Sequence, residues 1–188
     1  MKRTVLAIVL SAAALSAQAS DINYNYVQGT YGEVDLEGAD LDGFGIDGSI
    51  KFNDSFYGIA GYEKYDSNGV ELSETAAGVG FIKSVSDKTD WVSELSFVRN
   101  KVDVPDFANF SDNGYRVATG LRGMVSDKVE LNGKINYTDV GDFGNGFGAS
   151  VGAVYHVNDT FGITAGYDYA DRDNSDLNGW NVGARVSF

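Results

Sequence analysis

From residue 24 to the C-terminal Phe188 one pattern recurs: about ten residues alternate apolar and polar, then Asp, Asn, Ser and Gly break the run. Successive side chains on a strand point to opposite faces, so period-two alternation marks a sheet with one apolar and one polar side. The alternation is cleanest at 43–52, 129–140, 147–156, 161–170 and 180–188. Less regular segments at 24–34, 56–65, 72–83, 91–102 and 115–125 bring the count to ten. In 43–52 one face carries Phe44, Ile46, Gly48, Ile50 and Phe52, and the other Gly45, Asp47, Ser49 and Lys51. In 129–140 Val129, Leu131, Gly133, Ile135 and Tyr137 oppose Glu130, Asn132, Lys134, Asn136 and Thr138. The first segment is the least regular, because Tyr24, Tyr26, Val27 and Tyr31 do not keep one parity.

Composition narrows the chemistry. The 188 residues include 24 Gly, 1 Pro, 1 His and no Cys, with a net charge of −13. Without Cys there is no disulfide framework and no thiolate metal site. An acidic chain offers no basic face to a phosphate backbone, so nucleic acid is not the expected partner. Aromatics at 13% argue against disorder.

The first residues read as an address. Lys2 and Arg3 precede an apolar run from Thr4 to Leu15, and Ala17-Gln18-Ala19 supplies a cleavage site. Residues 1–19 are expected to be a cleaved signal peptide and residues 20–188 one β-barrel domain. Cleavage removes two positive charges and takes the net charge from −13 to −15. No later apolar run is long enough to span a bilayer as a helix.

Connections alternate in length. Those at 53–55, 126–128 and 157–160 are short, and that at 84–90 is a little longer; those at 35–42, 66–71, 103–113, 141–146 and 171–179, after the odd-numbered segments, run longer than the short turns and are acidic. Short turns at one end and longer loops at the other are the anatomy of an outer-membrane barrel. In hydrocarbon every backbone polar group must be paired internally, so such a sheet has to close. Aromatics on the apolar faces fall at segment ends: Phe52, Phe56, Phe81, Trp91, Tyr155, Phe161 and Phe188 toward the periplasmic end, and Phe44, Tyr62, Phe97, Tyr115, Tyr137, Phe147, Tyr167 and Trp180 toward the external end. Two aromatic girdles a strand length apart fit two membrane interfaces. A soluble sandwich would place its largest side chains at the centre of its core.

The C-terminus adds a separate signal. Trp180, Val182, Ala184, Val186 and Phe188 sit at alternate positions and end on the terminal residue. The mature chain resembles the small outer-membrane β-barrels of Gram-negative bacteria, the OmpA-transmembrane-like and opacity-type group. That resemblance implies a transmembrane antiparallel up-and-down barrel, all-β, of ten strands, with eight as the runner-up because most of the smallest members have eight. It implies a C-terminal strand read by the barrel-assembly machinery, an outer-membrane location, and lipid and lipopolysaccharide as surroundings. No cofactor is implied, and a monomer is expected.

The polar faces carry balanced charge. Asp47, Glu63, Glu94, Glu130 and Asp168 are placed in the lumen against Lys51, Arg116, Arg122, Lys134 and Arg185. Unpaired buried charges are costly, so these groups are expected to pair. The leading expectation is a non-enzymatic envelope protein, contributing to envelope integrity and surface interaction, with its lumen filled by paired charges. The alternative is a narrow porin-like channel for small polar solutes or ions. Lumen glycines such as Gly120, Gly148, Gly152, Gly166 and Gly183 favour some open space or ease strand curvature. Barrel enzymes of this type carry His at the external rim, whereas His156 falls beside a short turn and reads as a membrane-interface residue. Asp171, Asp173, Ser175 and Asp176 resemble a calcium loop, but position six is Asp176 rather than Gly and position twelve is Val182. They are weak metal candidates only, as is the acidic run Asp35, Glu37, Asp40 and Asp42. Divalent cations bridging such acidic loops to lipopolysaccharide are a further expectation. Phe107 and Phe110 in the longest loop are candidates for surface contact or for packing across the mouth.

Overall fold

The computed structural model describes residues 22–188 except 37, 68, 105–108 and 174 and the side chain of Ser175. The expected signal peptide, Glu37, Pro105 and Phe107 therefore lie outside the described residues. Ten strands form: β1 Tyr26–Leu36, β2 Ala39–Lys51, β3 Phe56–Ser67, β4 Val70–Ser86, β5 Thr89–Asp103, β6 Phe110–Ser126, β7 Val129–Asp139, β8 Asn145–His156, β9 Phe161–Arg172 and β10 Ser175–Ser187. Each pairs antiparallel with its chain neighbour, and β10 returns to β1 from Tyr26↔Ser187 to Leu36↔Leu177. The sheet is a closed ten-stranded barrel, which excludes the eight-stranded alternative. Among the described residues the one helical element is a 3₁₀ turn, Gly141–Phe143.

The turns at the end bearing the termini are set by short polar side chains. Asn53 Oδ1 accepts the N–H of Ser55 at 2.9 Å and of Phe56 at 3.0 Å. Asn158 repeats this with Thr160 and Phe161 at 2.9 and 2.8 Å. Asx turns of this kind reverse the chain at little entropic cost. Ser86-Asp87-Lys88 and Ser126-Asp127-Lys128 close the other two hairpins, each beside a register shift in the ladder.

At the opposite end the long acidic loops are mostly absent. β1 runs to Leu36 and β2 starts at Ala39; β3 runs to Ser67 and β4 starts at Val70; β9 runs to Arg172 and β10 starts at Ser175. Residues expected in loops instead extend the ladder, and only 104–109 and 140–144 remain as longer connections. The reason is turn chemistry. Gly38 and Gly69 adopt φ of 87° and 86°, the left-handed geometry of two-residue hairpins, and the sequence at 68–69 is Asn-Gly, the strongest short hairpin signal.

The two faces separate cleanly. All fifteen expected girdle aromatics stand on outward positions, and Phe44, Phe52, Phe97, Phe147, Phe161 and Phe188 are each more than half exposed. Neighbouring rings meet across strands, as in Phe56–Phe81 at 5.5 Å and Tyr137–Phe147 at 5.1 Å. Between the girdles the outward face is aliphatic and small: Ile46, Leu95, Val117, Ile135 and Ile163 are exposed there. Tyr24, Tyr26 and Gln28 turn inward while Val27 and Tyr31 turn outward, which explains the broken alternation of the first segment.

Leu131 and Val151 point outward at mid-strand. Replacing either by Arg is expected to cost about 2–4 kcal/mol in a bilayer folding titration. A negligible cost would show that this face does not meet hydrocarbon.

Candidate functional site

The inward positions build two unlike halves of a lumen. At the end bearing the termini the interior is packed. Glu130 on β7 is 1% exposed, and its Oε1 receives Arg122 Nε and Nη2 from β6, each at 2.8 Å. Its Oε2 lies 3.7 Å from Arg185 Nη1 on β10 and 3.7 Å from His156 Nε2 on β8. Arg185 also donates to Gln28 Oε1 through Nε and Nη2, at 2.9 and 2.8 Å. The guanidinium of Arg185 sits 3.9 Å from the Tyr26 ring centre, and that of Arg122 4.4 Å from Tyr24. Such stacking over aromatic faces adds to the ion pairs where water is excluded.

Residues 22–25, ahead of β1, close this end. Tyr24 is 2% exposed and packs on Tyr57, Ile82 and Val92, with Ile22 and Ile59 against the cluster. Its hydroxyl donates to Asp90 Oδ2 at 2.9 Å, and the Asn23 carbonyl receives Arg122 Nη2 at 3.2 Å. Glu94 on β5 accepts Tyr57 Oη and Lys134 Nζ, both at 2.6 Å.

Toward the other end the lumen opens into a cavity of about 320 Å3, lined in part by Asp47, Glu63, Glu74, Arg116, Lys134 and Asp168. Arg116 Nη2 donates to Glu74 Oε2 at 2.8 Å and its Nε to Thr138 Oγ1 at 3.0 Å. Among the described residues Asp168 accepts a hydrogen bond only from the Asn181 amide, at 3.2 Å. Asp47 stands directly opposite Gln28 in the β1–β2 register. Glu63 has no hydrogen bond or ion pair among the described residues, although it stands directly opposite Glu74 in the β3–β4 register.

Nine of the ten charges expected in the lumen thus stand on inward positions away from its mouths. Lys51 is the exception. It occupies an inward position at the last residue of β2, so its side chain hangs at the mouth and pairs at 3.3 Å with Asp54 in the turn. Glu74, Tyr57, Tyr24 and Gln28 also build the interior and were not anticipated. His156 faces Glu130 from inside rather than lying at the membrane interface, because its position on β8 has inward parity.

The inward glycines do not leave open space. A Cβ at Gly120 or Gly183 would collide with a neighbouring backbone carbonyl, so these positions permit close strand approach. At Gly148, Gly152 and Gly166 the room is taken by the side chains of Asn136, Asn132 and Asn181.

At the far rim Asp171 and Asp176 face one another across β9–β10, and Asp173 Oδ2 accepts the Asn145 amide at 2.6 Å. No group of three or more His, Cys, Asp or Glu is arranged to share a metal ion among the described residues. Phe110 meets Phe143 of the neighbouring 3₁₀ turn with ring centres 5.0 Å apart and stays exposed on its other side.

The sequence matches the family model described as outer membrane protein beta-barrel domain over residues 5–188. The chain belongs to this outer-membrane barrel family. No curated protein matches it. Among solved structures it is similar in fold to the NanC porin, at 12% identity and TM-score 0.48, covering 87% of this chain and 100% of that one. It is similar to the N-terminal barrel of Pseudomonas aeruginosa OprF, at 12% identity and TM-score 0.45, covering 89% and 100%. Ail of Yersinia pestis matches at 14% identity and TM-score 0.41, covering 87% and 95%. The barrel end bearing the termini is the periplasmic one in such proteins.

Removing one partner of a buried ion pair strands the others. Glu130→Ala leaves Arg122 and Arg185 facing each other without a counter-charge and is expected to cost about 3–5 kcal/mol. Lys51→Ala, at the exposed mouth, is expected to stay within about 1 kcal/mol of the parent. Urea unfolding in lipid vesicles measures both, and equal effects would contradict the packed periplasmic layer.

Proposed function

We propose that the chain is a monomeric, non-enzymatic outer-membrane barrel that contributes to envelope integrity and surface interaction, with a lumen blocked at its periplasmic end. The observation that carries this reading is the layer of Tyr24, Tyr57, Arg122, Glu130 and Arg185. It joins a segment ahead of β1 to four strands and leaves its arginines and glutamate almost fully buried. A conducting path would have to break buried charge pairs, which is unfavourable without replacement partners. Export through the signal peptide of residues 1–19 belongs to the same reading. So does recognition of Trp180, Val182, Ala184, Val186 and Phe188 by the barrel-assembly machinery.

The far rim supports a surface role. Glu33, Asp42, Asp66, Glu71 and Asp103 are consecutive register partners across β1 to β5, all on outward positions just beyond the aromatic girdle. Like charges directly opposite on a sheet repel. Lys64 takes Glu71 and Lys101 takes Asp103, each at 2.6 Å, while Asp42 receives only the Tyr31 hydroxyl, at 3.0 Å, among the described residues. This row sits where lipopolysaccharide phosphates lie, so divalent cations held between the two would relieve both sets of charge.

In a planar bilayer the folded mature protein is expected to be silent, with heat-shifted gel mobility as the folding check. Tyr24→Ala combined with Tyr57→Ala is expected to produce conductance steps. Regular steps from the parent would favour the narrow channel instead. Chelating calcium and magnesium is expected to lower the thermal midpoint in lipopolysaccharide and not in phospholipid. An unchanged midpoint in lipopolysaccharide would remove the cation-bridging part of the reading.

A further inference from the structure

The lipid-facing wall is not the same all the way round. At the external girdle every strand but β4 brings an outward aromatic, from Tyr31 on β1 to Trp180 on β10. β4 brings Thr75, with Ser73 beyond it. Basic side chains flank this gap. Lys64 is the next outward residue beyond Tyr62 on β3, and Arg99 and Lys101 are the next two beyond Phe97 on β5. The register sets Lys64 and Lys101 on either side of Ser73, and Arg99 beside Thr75. Among the described residues no other Lys or Arg stands on an outward position beyond the external girdle. Lys64 and Lys101 each hold one carboxylate, but an ammonium has three donors and keeps two for other oxygens. Arg99 is exposed and, among the described residues, donates only to the Ser111 hydroxyl, at 3.3 Å.

Below the gap the same wall is hollowed. Gly48, Ala60 and Ala77 are consecutive register partners across β2 to β4, and with Gly58 they floor an open cleft of about 700 Å3 edged by Ile50 and Tyr62. The cleft reaches Thr75 and so runs into the gap. In hydrocarbon, close packing selects the occupant of such a cleft, and small residues let it lie against the backbone. Charge selects its head: guanidinium and ammonium donors at headgroup depth suit a phosphate. We propose that this face binds one phosphorylated glycolipid of the outer leaflet. Its phosphate sits on Arg99, Lys64 and Lys101, and one acyl chain passes the β4 gap into the cleft. The proposal rests on the outer-membrane reading above and deepens it, because here side chains meet the phosphate directly rather than through a divalent cation.

Native mass spectrometry of the mature barrel, released from phosphatidylcholine nanodiscs doped with diphosphoryl lipid A, tests it. With calcium and magnesium chelated, one retained lipid A per barrel is expected. Arg99→Gln with Lys101→Gln is expected to lower that retention at least fivefold, and Ala60→Leu, which fills the cleft, at least threefold. Lys83→Gln, an outward cation at the periplasmic end of β4, is expected to stay within twofold. Heat-shifted mobility checks folding, and Arg99→Gln alone replaces the double variant if that does not fold. Retention lost on chelation overturns the proposal and leaves the cation-bridging reading standing. Unchanged retention in the Arg99 variants, equal retention of lipid A without phosphates, or a barrel dimer in place of bound lipid each overturns it as well.

Discussion

The constraint on which everything else depends is that backbone N–H and C=O groups in hydrocarbon have no water to turn to. The β1–β10 seam answers it. Eleven register pairs close the sheet from Tyr26↔Ser187 to Leu36↔Leu177, and the Phe188 N–H extends the seam to the Asn25 carbonyl at 3.0 Å. Closure then dictates the rest. With period two, every strand sends half of its side chains to lipid and half to the lumen. A ten-stranded lumen is slightly wider than one that side chains fill unaided. The inward positions must therefore carry long polar groups that reach partners across the barrel.

That requirement divides the lumen. Near the periplasmic end aromatic rings and guanidinium groups stack, and residues 22–25 supply Tyr24 and a backbone carbonyl to complete the layer. Large flat groups pack such a space densely and bring their charges into contact. Farther out, the inward residues include Glu63, Glu74 and Asp168 with fewer bulky neighbours, so a cavity persists.

The strands, their number, their faces and both girdles were legible because each rests on local alternation. The inward set was legible for the same reason, but its pairing was not. Lys134 and Glu94 are 40 residues apart, Arg116 and Glu74 are 42, and Arg122 reaches a carbonyl 99 residues away. Those meetings depend on barrel shear, which one strand does not encode. Glu74 was missed because alternation in 72–83 is weak, and Tyr24 because it precedes the strand whose parity it seemed to break. The loops were overestimated because acidic residues were read as loop composition. Acidic residues beyond a girdle extend a ladder equally well, and Asn68-Gly69 was the signal that a two-residue turn was coming.

The charge pattern has a direction. The periplasmic layer is neutralised within itself, so it contributes little field beyond its own contacts. The outer cavity and the rim row from Glu33 to Asp103 carry the same sign and have few compensating cations. Lipid outside the barrel and the packed layer below it are poor dielectrics, and such walls focus field lines into the polar space they enclose. A cation approaching from outside therefore meets attraction at the rim that continues into the cavity, while an anion meets repulsion at both. The same asymmetry explains why Lys51 sits at the periplasmic mouth beside Asp54 at no cost to the interior. Charge placed there is paired in water, whereas charge placed beyond Glu94 acts on whatever enters.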